Sequence, residues 1–310
     1  MVVAHDRRDM LQACLDALHA QTVHPAEILV VDNASSDGSA DAAVAHPSAA
    51  TVLRLRINTG GAGGFAIGIR HAVTVMGAEA VWLMDDDTVP SETALAELLG
   101  AMRRYPRAVD LVASRVVWSD GRDHPLNTPR RRPWVDRGAR TAAAAAGSIP
   151  IRTSSFVSTL ITSRAIRQTG LPVADYFLWN DDFEFTGRLL RRGVGLLVPA
   201  SVAEHRTATF GYADPGDRFY FEIRNKIWMF TRSSALGPAE RVVYAASTVS
   251  RWTVMIIRSP RRRLLVRAGL RGLLDGIARR PRTTLEVIGD AVANSADDPG
   301  PPDRAGIRAA

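Results

Sequence analysis

Three consecutive carboxylates, Asp85, Asp86 and Asp87, follow an apolar run at residues 80–84. Adjacent acids repel one another when ionised, so a hard divalent cation is their natural partner. Side chains alternate along an extended chain, which predicts that Asp85 and Asp87 point to the same side. The alternative is a solvated acidic turn. A position after a buried strand and before a helix favours the metal site, because ligands of open α/β sheets bind at the carboxyl ends of strands.

A second group of acids, Asp181, Asp182 and Glu184, lies among the aromatic residues of segment 177–185. Paired acids in a partly apolar cleft suit general-base chemistry, because each neighbour can move the pKa of the other toward neutrality. The alternative is helix capping by Asp182, with Glu184 in the first turn. His205 is a lone histidine, which is usually structural, but it is also a candidate third metal ligand.

Two further features suit a nucleoside diphosphate. Asp32 ends an apolar run, where it could accept hydrogen bonds from ribose hydroxyls or a base N–H. The run 58–65 is glycine-rich and precedes a helical pattern, so its backbone could approach a diphosphate at the helix N-terminus. Its spacing matches neither a P-loop nor a dinucleotide fingerprint, and a flexible loop is the alternative. The candidate glycines are Gly60, Gly61, Gly63 and Gly64.

These residues must be positioned by alternating strands and helices, because short apolar runs alternate with amphipathic patterns over the first 120 residues. We predict strands at 2–4, 27–32, 51–56, 80–85 and 110–117, and helices at 8–21, 39–45, 64–76 and 91–104. The first strand is short for a central strand. The sequence therefore leaves open whether the true start lies upstream of Met1.

The pattern changes at residues 119–150, which we predict to be a long and partly mobile loop. An apolar pattern resumes at 156–162, followed by a helix at 163–169 and a strand at 194–199. The fold class predicted is therefore α/β, with a mostly parallel sheet flanked by helices.

Composition narrows the chemistry. The chain has 310 residues, 46% of them hydrophobic, which suits one large domain or two small ones. Its one cysteine, Cys14, excludes an intramolecular disulfide and any multi-cysteine metal site, and fits a reducing compartment. Met1 opens into a short apolar run and then charged residues, so we expect no secretion by a signal peptide.

The net charge of +7 is concentrated near the C-terminus. Residues 1–240 are neutral, whereas residues 241–282 hold eleven arginines and one acid. Three of these arginines, Arg263, Arg267 and Arg271, lie four residues apart with apolar residues between them. This basic amphipathic pattern suits an anionic membrane surface; the alternative is a helical face packed on the rest of the protein.

The apolar stretch 242–257 is interrupted by Arg251 and is too short to span a bilayer, which needs about 20 apolar residues. The tail at 291–310 is predicted to be disordered.

Taken together and in this order, the motifs resemble a family-2 glycosyltransferase of the GT-A fold, an inverting enzyme that uses a nucleotide-diphosphate sugar. The similarity covers about residues 1–230. The glycine run, the Asp85-Asp86-Asp87 triplet and the segment 179–185 together are most similar to bacterial galactofuranosyltransferases.

The resemblance implies a role for each candidate. Asp182 would deprotonate the acceptor hydroxyl, and Asp85, Asp87 and His205 would hold Mn²⁺ or Mg²⁺. The donor, a UDP-sugar, would be bound by Asp32, Gly60, Gly61, Gly63, Gly64 and Asp86. The acceptor would be bound by Trp179, Asp181 and Glu184.

The implied organisation is a GT-A catalytic domain at 1–235, with a nucleotide-binding half at 1–118 and an acceptor-binding half at 150–230. A basic amphipathic helical extension would follow at 236–290. The acceptor would be a polyprenyl-linked or cell-wall glycan, and the protein would lie in the cytoplasm, peripheral to the inner face of the membrane.

Other activities stay open. A rhamnosyltransferase or another hexosyltransferase would share the motifs. A sugar-phosphate nucleotidyltransferase would carry its glycine loop after the first strand, where this chain has the charged run 5–8. An arginine-rich nucleic-acid binder is disfavoured by the neutrality of residues 1–240, so no nucleic-acid partner is expected.

Overall fold

The computed structural model describes residues 1–211 and 213–292. Its strands are β1 (Val2–Ala4), β2 (Leu29–Asp32), β3 (Thr51–Arg54), β4 (Ala80–Asp85), β5 (Thr88–Pro90), β6 (Leu111–Val117), β7 (Arg130–Arg131), β8 (Ile149–Thr153), β9 (Thr159–Thr162) and β10 (Gly195–His205). Its helices are α1 (Arg8–His19), α2 (Ser39–Val44), α3 (Gly60–Thr74), α4 (Ala94–Arg104), α5 (Arg137–Ala145), α6 (Ser163–Thr169), α7 (Asp181–Leu189), α8 (Phe219–Arg232), α9 (Pro238–Arg258), α10 (Arg262–Ala278) and α11 (Thr284–Val292).

The strands form one mixed sheet in the order β3-β2-β1-β4-β9-β6-β10-β8-β7. The first four strands of that order are parallel, as predicted, whereas β9 runs antiparallel to both β4 and β6. Although it is short, β1 is a central strand, paired on both sides. Its side chains are buried, which fits the apolar sequence of a strand covered on both faces.

Amphipathic helices cover both faces of the sheet. The helix predicted near the N-terminus is α1, which buries one apolar face formed by Leu11, Cys14, Leu15 and Leu18. They pack with the sheet residues Val30 and Met84 in one core cluster, while Val31 and Leu83 belong to a second cluster on the other face. Alternation along β2 and β4 therefore divides the core into two layers.

The prediction of a loop over residues 119–150 is wrong for its second half. There α5 begins after Asp136, whose side chain accepts a hydrogen bond from the backbone N–H of Ala139. The alanine-rich run then buries Ala143 and Ala146 against the sheet. Alanine has the highest helix propensity, and the capping aspartate fixes the start of the helix.

The strand predicted at 194–199 extends to His205. It passes through an irregularity between Val198 and Val202 and then pairs with β5. In this antiparallel pair His205 lies opposite Thr88. The extension carries a residue from late in the chain to the acidic triplet.

The basic extension packs on α8 through small residues. A Cβ atom added to Gly272 would lie 2.5 Å from the Tyr220 carbonyl oxygen, and one on Gly276 would lie 2.8 Å from Ile227. Leu265 is buried on the same face with Phe219 and Ile223, whereas Leu270 and Leu274 are 56% and 66% exposed. Part of the apolar surface of α10 is therefore left outside the packed face. In the described part of the chain, no helix is both long and apolar enough to cross a membrane.

The predicted disordered tail is corrected at its start. Residues 291 and 292 belong to α11, and Ile288, Ala291 and Val292 are buried in the main core cluster. The Thr284 hydroxyl donates to the Pro172 carbonyl, which holds the helix against the segment that follows α6. The rest of the predicted tail, 293–310, lies outside the described residues.

Candidate active site

A cleft of about 410 Å³ opens at the carboxyl end of β4. Its wall combines residues from α3, α7, α8, α9 and the end of β10. The predicted site residues that line it are Gly61, Asp85, Trp179, Asp181, Asp182 and His205. The structure thus brings together residues that are widely separated in the chain.

Asp85, Asp87 and His205 form a cluster of candidate metal ligands. One ligand atom from each lies within 4.8 Å of the other two, and His205 Nε2 lies 2.9 Å from Asp87 Oδ1. Burial and the neighbouring Asp87 charge raise the pKa of Asp85 to about 7. One half-buried carboxylate, one buried carboxylate and an imidazole at this spacing fit a divalent cation, which would relieve the repulsion between the acids.

His205 is oriented by Asn127. The Nδ1–H group of His205 donates to Asn127 Oδ1 at 3.0 Å, which leaves Nε2 directed at the acids. The ring of His124 packs 5.1 Å from that of His205, and His124 Nε2 pairs with the Thr207 hydroxyl. Metal-binding histidines are commonly fixed through their second nitrogen in this way. Asn127 and His124 are not among the predicted site residues, because both lie in the stretch predicted as a loop.

Asp86 points away from this cluster, as alternation predicts. Its carboxylate accepts from the backbone N–H of His5 at 3.1 Å and pairs with Arg7 at 3.4 Å, and it does not line the cleft. Arg7 also pairs with Asp87. In the sequence Arg7 is only one member of a charged run, and nothing there signals a place beside the triplet.

Asp32 and Asn33 end β2 in different roles. Asp32 Oδ1 is buried and has no hydrogen-bond partner among the described residues, so it is free to accept from a ligand. Asn33 instead holds the glycine run, donating to the Gly60 carbonyl and accepting from the Thr59 backbone and hydroxyl. No local sequence pattern distinguishes Asn33 for this role.

The glycine run is the first turn of α3, not a loop before it, because the helix begins at Gly60 rather than at residue 64. Its close approaches are mostly to the protein. Gly60 has φ +69°, and a Cβ there would lie 2.0 Å from the Phe177 carbonyl oxygen; one at Gly64 would lie 2.6 Å from Val3. Gly61 has open space around its Cα and faces the cleft. Of these glycines, Gly61 is the one placed to approach a ligand.

The segment before α7 is strained. Phe177, Trp179 and Asn180 all have positive φ angles, which residues with a side chain rarely adopt. The Asn225 side-chain amide lies within hydrogen-bond distance of three carbonyls in this segment, those of Tyr176, Leu178 and Trp179. Backbone strain held by surrounding contacts is typical of functional sites.

Asp181 and Asp182 both line the cleft at the start of α7. Burial raises the pKa of Asp182, and the Phe183 backbone N–H, Lys226 and Arg130 partly oppose that rise. Burial and the adjacent Asp182 charge raise the pKa of Asp181 further. A carboxylate with a raised pKa is a better proton acceptor than an ordinary aspartate.

Glu184 lies elsewhere. Its carboxylate pairs with Arg188 at 3.0 Å, accepts from the Ser233 hydroxyl at 2.6 Å and borders a separate cavity. This geometry does not support the predicted acceptor-binding role. Helical periodicity explains the difference, because Glu184 and Asp182 project from different sides of α7.

Comparison with known proteins identifies the family and agrees with the fold. The profile of the family described as Glycosyl transferase family 2 matches residues 1–166, more than half of the chain. The chain belongs to this family. It is accordingly a glycosyltransferase, and the resemblance inferred from the motifs is confirmed.

The curated relatives of this glycosyltransferase include galactofuranosyltransferases. It is 34% identical over 255 residues to Galactofuranosyltransferase GlfT1 of Mycobacterium tuberculosis (strain ATCC 25618 / H37Rv), which covers 75% of this chain and 81% of that protein. The identity to GlfT1 of Mycolicibacterium smegmatis is 30%, covering 75% and 82%.

Solved structures of low sequence identity share the fold. Residues 1–349 of S. aureus TarS superpose with a TM-score of 0.61 at 14% identity, covering 89% of this chain and 79% of that one. The mannosyltransferase PcManGT from Pyrobaculum calidifontis, in complex with GDP-Man and Mn²⁺, gives 0.53 at 17% identity, covering 89% and 85%. The glycosyltransferase therefore has a GT-A fold with a C-terminal helical region, as predicted.

Proposed function

We propose that this glycosyltransferase is a metal-dependent, inverting enzyme that transfers galactofuranose from UDP-galactofuranose to a lipid-linked or cell-wall glycan. The observation that carries the proposal is that Asp182 lines the same cleft as Asp85 and His205. Such a cleft offers a proton acceptor for the acceptor hydroxyl and a cation site for the leaving group.

The chemistry follows from these positions. Asp182 takes the proton of the acceptor hydroxyl while the hydroxyl oxygen attacks the anomeric carbon of the donor sugar. The bond from that carbon to the nucleoside diphosphate breaks in the same step. Asp85, Asp87 and His205 would hold Mn²⁺ or Mg²⁺, which when bound neutralises charge on the leaving diphosphate. A single in-line displacement inverts the anomeric centre and requires no covalent nucleophile.

The donor would lie between β2 and α3. The unpartnered Oδ1 of Asp32 can accept from the uracil N–H or a ribose hydroxyl, and Gly61 lets the donor approach the backbone of α3. TarS has been crystallised with UDP and with UDP-GlcNAc, which supports a uridine donor for this fold. The GlfT1 relatives support galactofuranose as the sugar.

The C-terminal surface supports the proposed acceptor and location. Leu270, Leu274 and Ile277 are exposed on α10, and Val254 and Ile257 are exposed on α9. Arginines flank them, so the surface pairs apolar side chains with positive charge, as peripheral binding to an anionic bilayer requires. Binding at the inner face of the membrane would place the cleft near a lipid-linked acceptor.

The test is transfer from a panel of donors, comprising UDP-galactofuranose, UDP-galactopyranose, UDP-glucose and dTDP-rhamnose. Membrane lipids serve as acceptor, with Mn²⁺ or a chelator, and products are read by mass spectrometry. We expect metal-dependent transfer from UDP-galactofuranose alone. Transfer from another donor would reject galactofuranose as the sugar and would leave the proposed roles of the metal site and the base in place.

The metal site is tested separately with Asp87→Ala, compared with Asp16→Ala on the exposed face of α1. We expect Asp87→Ala to abolish the gain in UDP affinity that Mn²⁺ gives, and Asp16→Ala to retain it. The same affinity with and without chelator in the unmodified protein would reject the metal site.

A further inference from the structure

Three basic side chains from separate elements line the side of the cleft that contains Asp182. They are Arg130 of β7, Lys226 of α8 and Arg251 of α9. Neither the predicted donor set nor the metal cluster uses them. The cleft thus has an acidic group of candidate metal ligands and, on other elements, a basic group.

Lys226 is the most buried of the three, with 6% of its surface exposed. It is the single lysine in the sequence, in which arginine is the common basic residue. Its Nζ lies 4.9 Å from the centre of the Phe183 ring. Among the residues that the structure describes, no carboxylate forms an ion pair with this ammonium group. Burying an ammonium group without an anion is unfavourable, so the site is better satisfied when an anion enters the cleft.

The two arginines add charge that is only partly balanced. Arg130 packs over the rings of Phe183 and Tyr244, at 5.4 and 5.6 Å. Arg251 lies 3.9 Å from Glu222, whose carboxylate also accepts from Asn180 and Trp252. Two carboxylates, those of Glu222 and Asp182, face the three cations.

We propose that Arg130, Lys226 and Arg251 form a subsite for a phosphate or diphosphate group of the acceptor. The proposal rests on the proposed function, because it assigns this group to the acceptor rather than to the donor. Guanidinium groups bind phosphate oxygens in pairs, and an ammonium binds them as a point charge. A phosphate held there would lie on the same side of the cleft as Asp182.

The neighbouring surface suits a lipid on the same molecule. Arg251 and Met255 of α9 face the cleft, while Val254 and Ile257 of the same helix are exposed. An apolar chain attached to the bound phosphate could therefore leave the cleft along α9 and reach the exposed apolar residues. The anionic head and the apolar tail of one acceptor would both be matched.

The test is binding of farnesyl diphosphate, measured by calorimetry in the presence of a chelator and again with saturating UDP and Mn²⁺. Lys226→Met and Arg251→Met are compared with Arg103→Met, which removes an exposed arginine of α4 outside the cleft. We expect both cleft variants to weaken binding by about tenfold or more and the control to leave it unchanged. Lys226→Arg should restore most of the affinity.

Inorganic pyrophosphate and farnesol separate the sources of affinity. Pyrophosphate that binds as tightly as farnesyl diphosphate would assign the subsite to free phosphate, and farnesol that binds as tightly would assign it to the lipid tail. Either result would overturn the proposal. Displacement of farnesyl diphosphate by UDP would also overturn the proposal, because it would show that the three cations bind the donor.

Should Lys226→Met fail to fold, Arg130→Met and Arg251→Met carry the test. The proposed function is tested independently of this subsite. It would be rejected if UDP binding to the unmodified protein did not depend on metal.

Discussion

His205 Nε2 lies 2.9 Å from Asp87 Oδ1, although Asp87 lies in the turn before β5 and His205 ends β10, far away in the chain. The antiparallel pairing of β5 with the end of β10 creates this contact, and the hydrogen bond from the Arg206 backbone N–H to the Asp87 carbonyl reinforces it. A shift of one residue in this pairing would turn the imidazole to the other face of the strand. The candidate metal site therefore depends on strand register.

Replacing Asn127 with alanine should weaken metal binding, because His205 would lose the acceptor that fixes its ring. We expect Mn²⁺ affinity to fall by about 10–100-fold, while the free energy of unfolding without metal changes by about 1 kcal/mol or less. Calorimetric titration and thermal unfolding measure the two quantities. Asn127→Asp keeps an acceptor oxygen and is the matched control; unchanged affinity in Asn127→Ala would show that His205 needs no such support.

Asp182→Asn should remove the base and leave the donor site intact. We expect the transfer rate to fall by about 10²–10⁴-fold, with UDP affinity unchanged. Glu184→Gln is the comparison: it should lower stability, by weakening the pair with Arg188, and retain transfer. Full transfer by Asp182→Asn would remove the assignment of the base.

The pH dependence of transfer should report the environment of Asp182. The base acts when deprotonated and burial raises its pKa, so kcat/KM should fall with decreasing pH at a higher pH than for an ordinary aspartate. Lys226 lowers this pKa, so Lys226→Met should move the acid limb to higher pH and Lys226→Arg should move it back. If the acid limb lies at the same pH in the unmodified protein and in both variants, Lys226 does not influence the pKa of Asp182.

Gly60 and Gly61 should respond differently to alanine. At Gly60 the new Cβ would overlap the Phe177 carbonyl and φ is positive, so we expect a loss of about 2–4 kcal/mol in the free energy of unfolding. At Gly61 the space is open, and the change should be within about 1 kcal/mol. Denaturant unfolding measures both. Equal effects would contradict the packing of Gly60 on Phe177.

The exposed leucines of α10 should contribute to membrane binding. Burying a leucine in an apolar environment contributes about 1.5–3 kcal/mol, so the double change Leu270→Glu and Leu274→Glu should weaken binding to phosphatidylglycerol vesicles by at least about tenfold. Val44→Glu, on the exposed side of α2, is the control and should bind normally. Vesicle sedimentation gives the affinities, and normal binding by the double variant would exclude this face.

Local patterns in the sequence were sufficient for much of the fold. The apolar spacing of α1 and the apolar run before Asp85 predicted their elements, because a helix or strand that packs on a core must repeat its apolar residues with the period of its backbone. Alternation also separated Asp85 and Asp87 from Asp86. The sequence likewise identified Asp182 and His205 as candidates from their residue types and neighbours.

The residues that support the site were decided by tertiary structure. Asn33, Asn127, Asn225 and Lys226 act on partners distant in the chain, and no local pattern distinguishes them from ordinary polar residues. The same holds for the close approach of Gly60 to Phe177, a contact that the sequence near Gly60 does not encode. Sequence periodicity reports which side of an element is buried; only the packing of elements determines which residues meet.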